Sequence, residues 1–117
     1  MFIALAISAI LLAAMCVSSA SVKLRRNERA VAIIGGTVGV PLRLFPVLAS
    51  LELAGAAGIL TGLWLEPLGI AAAAGLVAYF TGAVTGHLRA GDTKNLTMPL
   101  PPLALSIAVL VLRLVTA

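Results

Sequence analysis

Between Leu44 and Trp64 the chain reads LFPVLASLELAGAAGILTGLW, twenty-one residues with one charge, Glu52, well inside an otherwise apolar run. As an α-helix that stretch rises about 31 Å, enough to cross a hydrocarbon core of about 30 Å. Composition explains why it is not folded away in a soluble core. Of the 117 residues, 62% are hydrophobic and 10% are charged, whereas a soluble domain carries roughly 25% charged residues to face water. The chain lacks the polar surface for that, so the membrane is its solvent.

The rest of the chain repeats the pattern. Met1–Ser21 is apolar and long enough to span. Ser19-Ala20-Ser21 resembles a small-residue cleavage site, but no Lys or Arg precedes the apolar run and a basic cluster follows it, which favours a retained span over a signal peptide. Val22–Arg29 reads as a short basic loop. Residues 30–41 are apolar but broken by Gly35, Gly36, Gly39 and Pro41, and suit an interfacial or re-entrant piece. Further spans are expected at about 67–86 and 99–115, with Pro67, Pro101 and Pro102 in first turns, where the missing amide has no intrahelical partner. The expectation is therefore an all-α, integral membrane four-helix bundle forming one domain, with spans at about 1–21, 44–64, 67–86 and 99–115. Of the eight Lys and Arg, only Arg113 falls outside the two loops that join spans one to two and three to four. The positive-inside rule puts both loops in the cytoplasm and both termini on the outer side. The net charge of +4 is read the same way, as facing anionic lipid headgroups rather than nucleic acid.

Glu52 is the residue that asks for a use. An acid at a helix centre costs about 2.5–3.5 kcal/mol on the insertion scale, and each large apolar residue returns about 0.3–0.6. Its helical neighbours Leu48, Ala49, Gly55 and Ala56 are mostly small, so a second helix can come close. Ala54, Gly58 and Gly62 make another small stripe, and Ala71, Gly75, Ala78, Gly82 and Gly86 line one face of the third span, with Tyr79 among them. Counting from the cytoplasmic ends, Glu52 and Tyr79 lie about 12 Å deep, Ser106 about 10 Å and Cys16 about 8 Å. One layer thus holds a polar or reactive side chain from each span, with His87 and Arg89 at its mouth. The candidates for ligand binding or proton handling are Glu52, Tyr79 and His87, with Cys16, Ser106 and Arg89 around them. Each has a plainer reading: Glu52 as an interhelical tie, Cys16 as apolar filler, His87 as a cap for a helix C-terminus. Unpaired, Glu52 would be neutral; paired with an arginine, it would stay charged. One cysteine allows no disulfide within the chain and one histidine no multi-histidine metal site. No metal or nucleotide signature is present.

Val38-Gly39-Val40-Pro41, LASLELAGAAGILTGLW and PLGIAAAAGLVAYFTGAVTGHLRAGD, in that order and spacing, resemble the DoxX-like family of small bacterial membrane proteins. The resemblance is carried by Glu52, the Pro67-Leu68-Gly69 helix start, Tyr79 and His87-Leu88-Arg89. It implies a four-helix bundle crossing the bacterial cytoplasmic (inner) membrane several times. Some relatives are linked to thiosulfate oxidation with quinone as acceptor, others to membrane complexes that handle thiol or oxidative stress. By that resemblance the chain is expected to be a redox-associated subunit that binds an apolar small molecule such as a quinone near Glu52. Its partners would be the lipid bilayer and other redox proteins or a second copy of itself. Because Cys16 stands alone, sulfur chemistry would fall to a partner, and any enzymatic role would be as part of a quinone-linked oxidoreductase. Two alternatives compete: a ligand-free structural or interaction subunit, and a small proton-coupled transporter using its one membrane glutamate.

Overall fold

The computed structural model describes residues 2–116. Among them are five α-helices and no strand: α1 (Phe2–Leu24), the single turn α2 (Glu28–Ala30), α3 (Phe45–Thr61), α4 (Glu66–Arg89) and α5 (Leu100–Val115). A π-helical segment, Val31–Val38, continues α2, and 3-10 turns at Leu42–Leu44 and Lys94–Thr97 lead towards α3 and α5. Three stretches are long and apolar enough to cross a membrane: Phe2–Leu24, Leu42–Thr61 and Glu66–Arg89. With 16 residues, α5 is apolar but shorter, rising about 24 Å.

Local chemistry explains the boundaries. The Asn27 side chain accepts from the amides of Arg29 and Ala30 and so starts α2. Gly39, at φ 89°, ends the π-helical segment in a left-handed turn that a side chain would resist. Prolines occupy the first turns of α3, α4 and α5, where their lack of an amide costs nothing. Two ends depart from expectation. First, α1 runs past Ser21 to Leu24, taking Lys23 out of the expected basic loop and burying it. Second, α3 stops at Thr61, capped at Gly62, so Trp64 lies beyond the helix and is 78% exposed.

α1 packs against α3 and α5, and α4 packs against the same two helices. Leu5, Ala9 and Leu12 of α1, Ile59 of α3, Leu76 and Phe80 of α4 and Val109 of α5 fill one core. The turn from α3 to α4 is closed by backbone contact: a Cβ placed on Gly62 would run into Gly69 Cα. Further along the hairpin, Gly58 receives the Ala72 side chain and Gly55 that of Leu76. The expected small stripe of α4 does not do this packing. Gly75 and Gly82 have nothing near where a Cβ would stand, and Ala71 and Ala78 are exposed. The reason is rotation about the helix axis: Gly69, Ala73, Leu76 and Phe80 are the buried residues, and they turn the small stripe outwards.

Away from the basic loops the helix exteriors are largely apolar, and four polar side chains are inside. Ile3, Ile7, Ile10, Leu51, Leu53 and Val111 are each exposed, whereas Lys23, Glu52, His87 and Ser106 are buried. Such an inversion suits a hydrocarbon solvent, and the long dimension of 41 Å matches a bilayer with its headgroups at about 40–45 Å. Because the Gly62–Gly69 contact leaves no room for a side chain, Gly62→Leu is expected to destabilise the protein by about 1–3 kcal/mol. Gly75→Ala, with open space around it, should leave stability unchanged or raise it by up to ~1 kcal/mol. Denaturant titration of the two variants in mild detergent checks this contrast.

Candidate functional site

Ser19 and Lys23 stand one turn apart near the end of α1, on the side that packs against α3. Glu52, in the first half of α3, meets them. Lys23 Nζ lies 2.6 Å from Glu52 Oε1 and donates also to Ser19 Oγ at 2.7 Å, while Ser19 Oγ donates to the same Oε1 at 3.2 Å. Tyr79 of α4 adds a third donor to Oε1 at 3.0 Å, its ring braced edge-on by Phe80 at 5.0 Å. Three helices are thereby tied to one carboxylate oxygen. Glu52 is wholly buried, and its other oxygen, Oε2, is buried with no hydrogen-bond partner among the described residues.

The partner of Glu52 is a lysine, not an arginine, and it comes from a residue the sequence places in a loop. Burying such a pair is expensive in desolvation, and the close contact with added hydrogen bonds is what offsets it. The ammonium has three protons; two are committed to Ser19 and Glu52. Lys23 and Ser19 were not among the expected site residues. The signal for them was the spacing of Leu12, Cys16, Ala20 and Lys23, which continues the buried face of α1 by steps of three and four.

The other expected residues fall in different places. Cys16 is buried in the core one turn before Ser19. Ser106 is buried but donates to Pro102 O on its own helix at 2.7 Å, and is not part of the Glu52 network. Arg89 is exposed. His87 is buried and engages the loop that follows: Nδ1 is 2.9 Å from Asp92 Oδ2, and Asn95 Nδ2 donates to both Asp92 oxygens at 2.8 and 2.9 Å. With a carboxylate as its acceptor, Nδ1 carries the proton and Nε2 remains for other contacts. The Asn95 amide chiefly, and the His87 imidazole with it, hold the Asp92 carboxyl below its ordinary value of 3.8 against the opposing effect of burial.

Both polar clusters border one cavity of about 940 Å³. Ser18, Ser19, Lys23, Tyr79 and His87 supply its polar wall; Leu11, Met15, Ile34, Val38, Phe80 and the Pro99–Pro102 turn supply apolar wall. Glu52 does not line it. The carboxylate stands behind its donors and positions them, so an occupant would meet Lys23 and Tyr79 instead. On α4, the small residues Ala78, Gly82 and Gly86 form part of this wall, which is the use the fold makes of that stripe. Among the described residues, no group of three or more His, Cys, Asp or Glu could hold a metal ion.

An all-helical chain with an apolar exterior and a polar cluster inside is a membrane protein, and comparison with known families agrees. The profile of the DoxX-like family matches residues 7–109. The chain belongs to the DoxX-like family. No curated protein and no solved structure matches it.

Two outcomes follow from this geometry. Replacing Lys23 by Met strands a buried carboxylate and is expected to cost about 3–5 kcal/mol, whereas Lys23→Met with Glu52→Met should cost much less than the two single changes added together. A double-mutant cycle of unfolding in detergent reads that coupling. For Asp92, a folded-state pKa below the unfolded one means its tie to His87 and Asn95 contributes fully above pH 3.8 and is lost as pH falls below it. Thermal stability of the native protein should therefore drop as pH is lowered below about 3.8, and Asp92→Asn should remove that part of the drop.

Proposed function

We propose that this DoxX-like membrane protein is a redox-associated subunit that binds a neutral, apolar carbonyl compound such as a quinone in the cavity beside Glu52. The observation that carries the reading is the donor set gathered on one buried carboxylate oxygen, with Lys23 and Tyr79 forming cavity wall. A carbonyl oxygen needs hydrogen-bond donors, and Lys23 retains one proton for it. The cavity is mostly apolar, of a size that suits a small-molecule site. The ammonium on its wall, Lys23, is already compensated by Glu52, so a neutral head is favoured over an anion. The same compensation argues against a proton-for-cation transporter, whose glutamate must be available to the cation.

In this reading α1, α3, α4 and α5 cross the bacterial cytoplasmic membrane as one four-helix domain with both termini outside. The loss of Lys23 from the first loop leaves Arg25, Arg26, Arg29 and Arg43 there, and Arg89 and Lys94 in the other, so the charge bias keeps its sign. The chain's part is to hold and orient the carbonyl compound and to present a proton at Lys23, while the Tyr79 hydroxyl, already donated to Glu52, keeps that carboxylate in place. Electrons would come from a partner protein, because the lone thiol, Cys16, cannot cycle with a second one inside the chain.

Titration of the reconstituted protein with a decyl-tailed benzoquinone tests this. Saturable binding is expected, weakened about tenfold, or ~1.4 kcal/mol, by Tyr79→Phe and by Glu52→Gln. Ser106→Ala should bind as the unaltered protein does. Binding indifferent to Tyr79 and Glu52 would leave the ligand-free structural subunit as the better reading.

A further inference from the structure

We infer that the cavity is loaded sideways from the bilayer, through a slot between α1 and the Met98–Pro102 turn. The bound molecule keeps an apolar tail in that slot while its head lies against Lys23 and Tyr79. This rests on the carbonyl-binding reading of the polar wall and adds to it a route, an orientation and a requirement for a tail.

Three observations converge. The α1 side of the cavity is formed by Leu11, Ala14, Met15, Ser18 and Val22, which recur at steps of three and four and therefore share one strip of the helix. That strip lies beside the buried face and is reached from outside: Leu11 is 50% and Met15 37% exposed, and Ala14 and Ser18 are exposed as well. A wall of the cavity is thus also part of the protein's outer surface.

A second stretch of wall, Met98, Pro99, Pro101 and Pro102, offers no side-chain hydrogen-bond donor. A helix start leaves its first amides without intrahelical partners, and water normally satisfies them. At the start of α5, Pro99, Pro101 and Pro102 have no amide hydrogen to satisfy, and the Ser106 hydroxyl takes the Pro102 carbonyl. Met98, 39% exposed, completes the edge. Such a lip tolerates hydrocarbon where an ordinary helix start would demand water.

Depth decides what the slot opens onto. Ser18 and Leu11 precede Leu24, the last residue of α1, by six and thirteen positions, about 9 and 20 Å along the helix. That interval falls within the hydrocarbon layer when the end of α1 sits at its edge. The donors Ser19, Lys23 and His87 lie towards that edge, and the apolar strip of α1, Met15 and Leu11, runs inwards from them. An occupant with a neutral carbonyl head and an aliphatic or isoprenoid tail fits this gradient lengthwise. A phospholipid fits it poorly, because its phosphate would meet a lysine already paired with Glu52.

The test uses the full chain in phosphatidylcholine nanodiscs, titrated with a long-tailed isoprenoid benzoquinone and with the same head lacking the tail. The unaltered protein should bind the tailed molecule at least tenfold more tightly. Met15→Trp and, on the opposite lip, Met98→Trp should weaken binding of the tailed molecule tenfold or more and leave the tail-less one unchanged. Both positions are partly exposed, and thermal unfolding checks that each variant is folded. Equal affinity for the two molecules, or tailed binding untouched by both tryptophans, would overturn the sideways route while leaving the head site standing. Failure of either molecule to bind the unaltered protein would remove the head site and the route together. Native mass spectrometry showing a phospholipid retained in saturating tailed quinone would also overturn the assignment of the occupant.

Discussion

The ion pair between Lys23 and Glu52 is the constraint that the rest of this molecule accommodates. Neither charge is tolerable alone in surroundings without water. Their contact fixes how the end of α1 meets the first half of α3, and Ser19 and Tyr79 then complete the coordination of one oxygen. Because Tyr79 belongs to α4, the third long helix is held to the same point. Dispersion and close packing hold the other end of the assembly, where Gly62 and Gly69 touch. A polar tie at one end and a backbone contact at the other leave the middle for side-chain packing and for the cavity.

Small residues serve two purposes that look identical in a sequence. On α3, Gly55, Gly58 and Gly62 admit Leu76, Ala72 and Gly69, so their lack of bulk becomes closeness between helices. On α4, Ala78, Gly82 and Gly86 border the cavity, so there the same property becomes space. On α4 the stripe stands about two fifths of a turn round the axis from the buried residues. That offset decides whether such a stripe shortens a distance or opens a volume.

Much of the architecture was legible because hydrocarbon imposes simple rules. Long uncharged runs, prolines at helix starts and the two-residue link before Pro67 mark the helices and the hairpin. The meeting of Glu52 with Tyr79 was legible from depth, since both count to the same level from the same side. Lys23 was missed because hydropathy assigns a charge at the end of an apolar run to the adjoining loop, whereas a lysine's long stem lets its head turn back along the helix. Ser106 was grouped with Glu52 on depth alone, and depth carries no information about rotation: its hydroxyl serves its own backbone. The tie between His87 and Asp92 depends on a turn at Gly91, with φ 70°, that spacing alone does not reveal.

The pairing of Lys23 with Glu52 also has a temporal side. Chain order means that α1, with its lysine, is made before α3. The cation and the hydroxyl that receive Glu52 therefore both precede it in the chain. In the folded protein the acid does not stand unaccompanied, and the least favourable residue of α3 is the one that joins it to its neighbours.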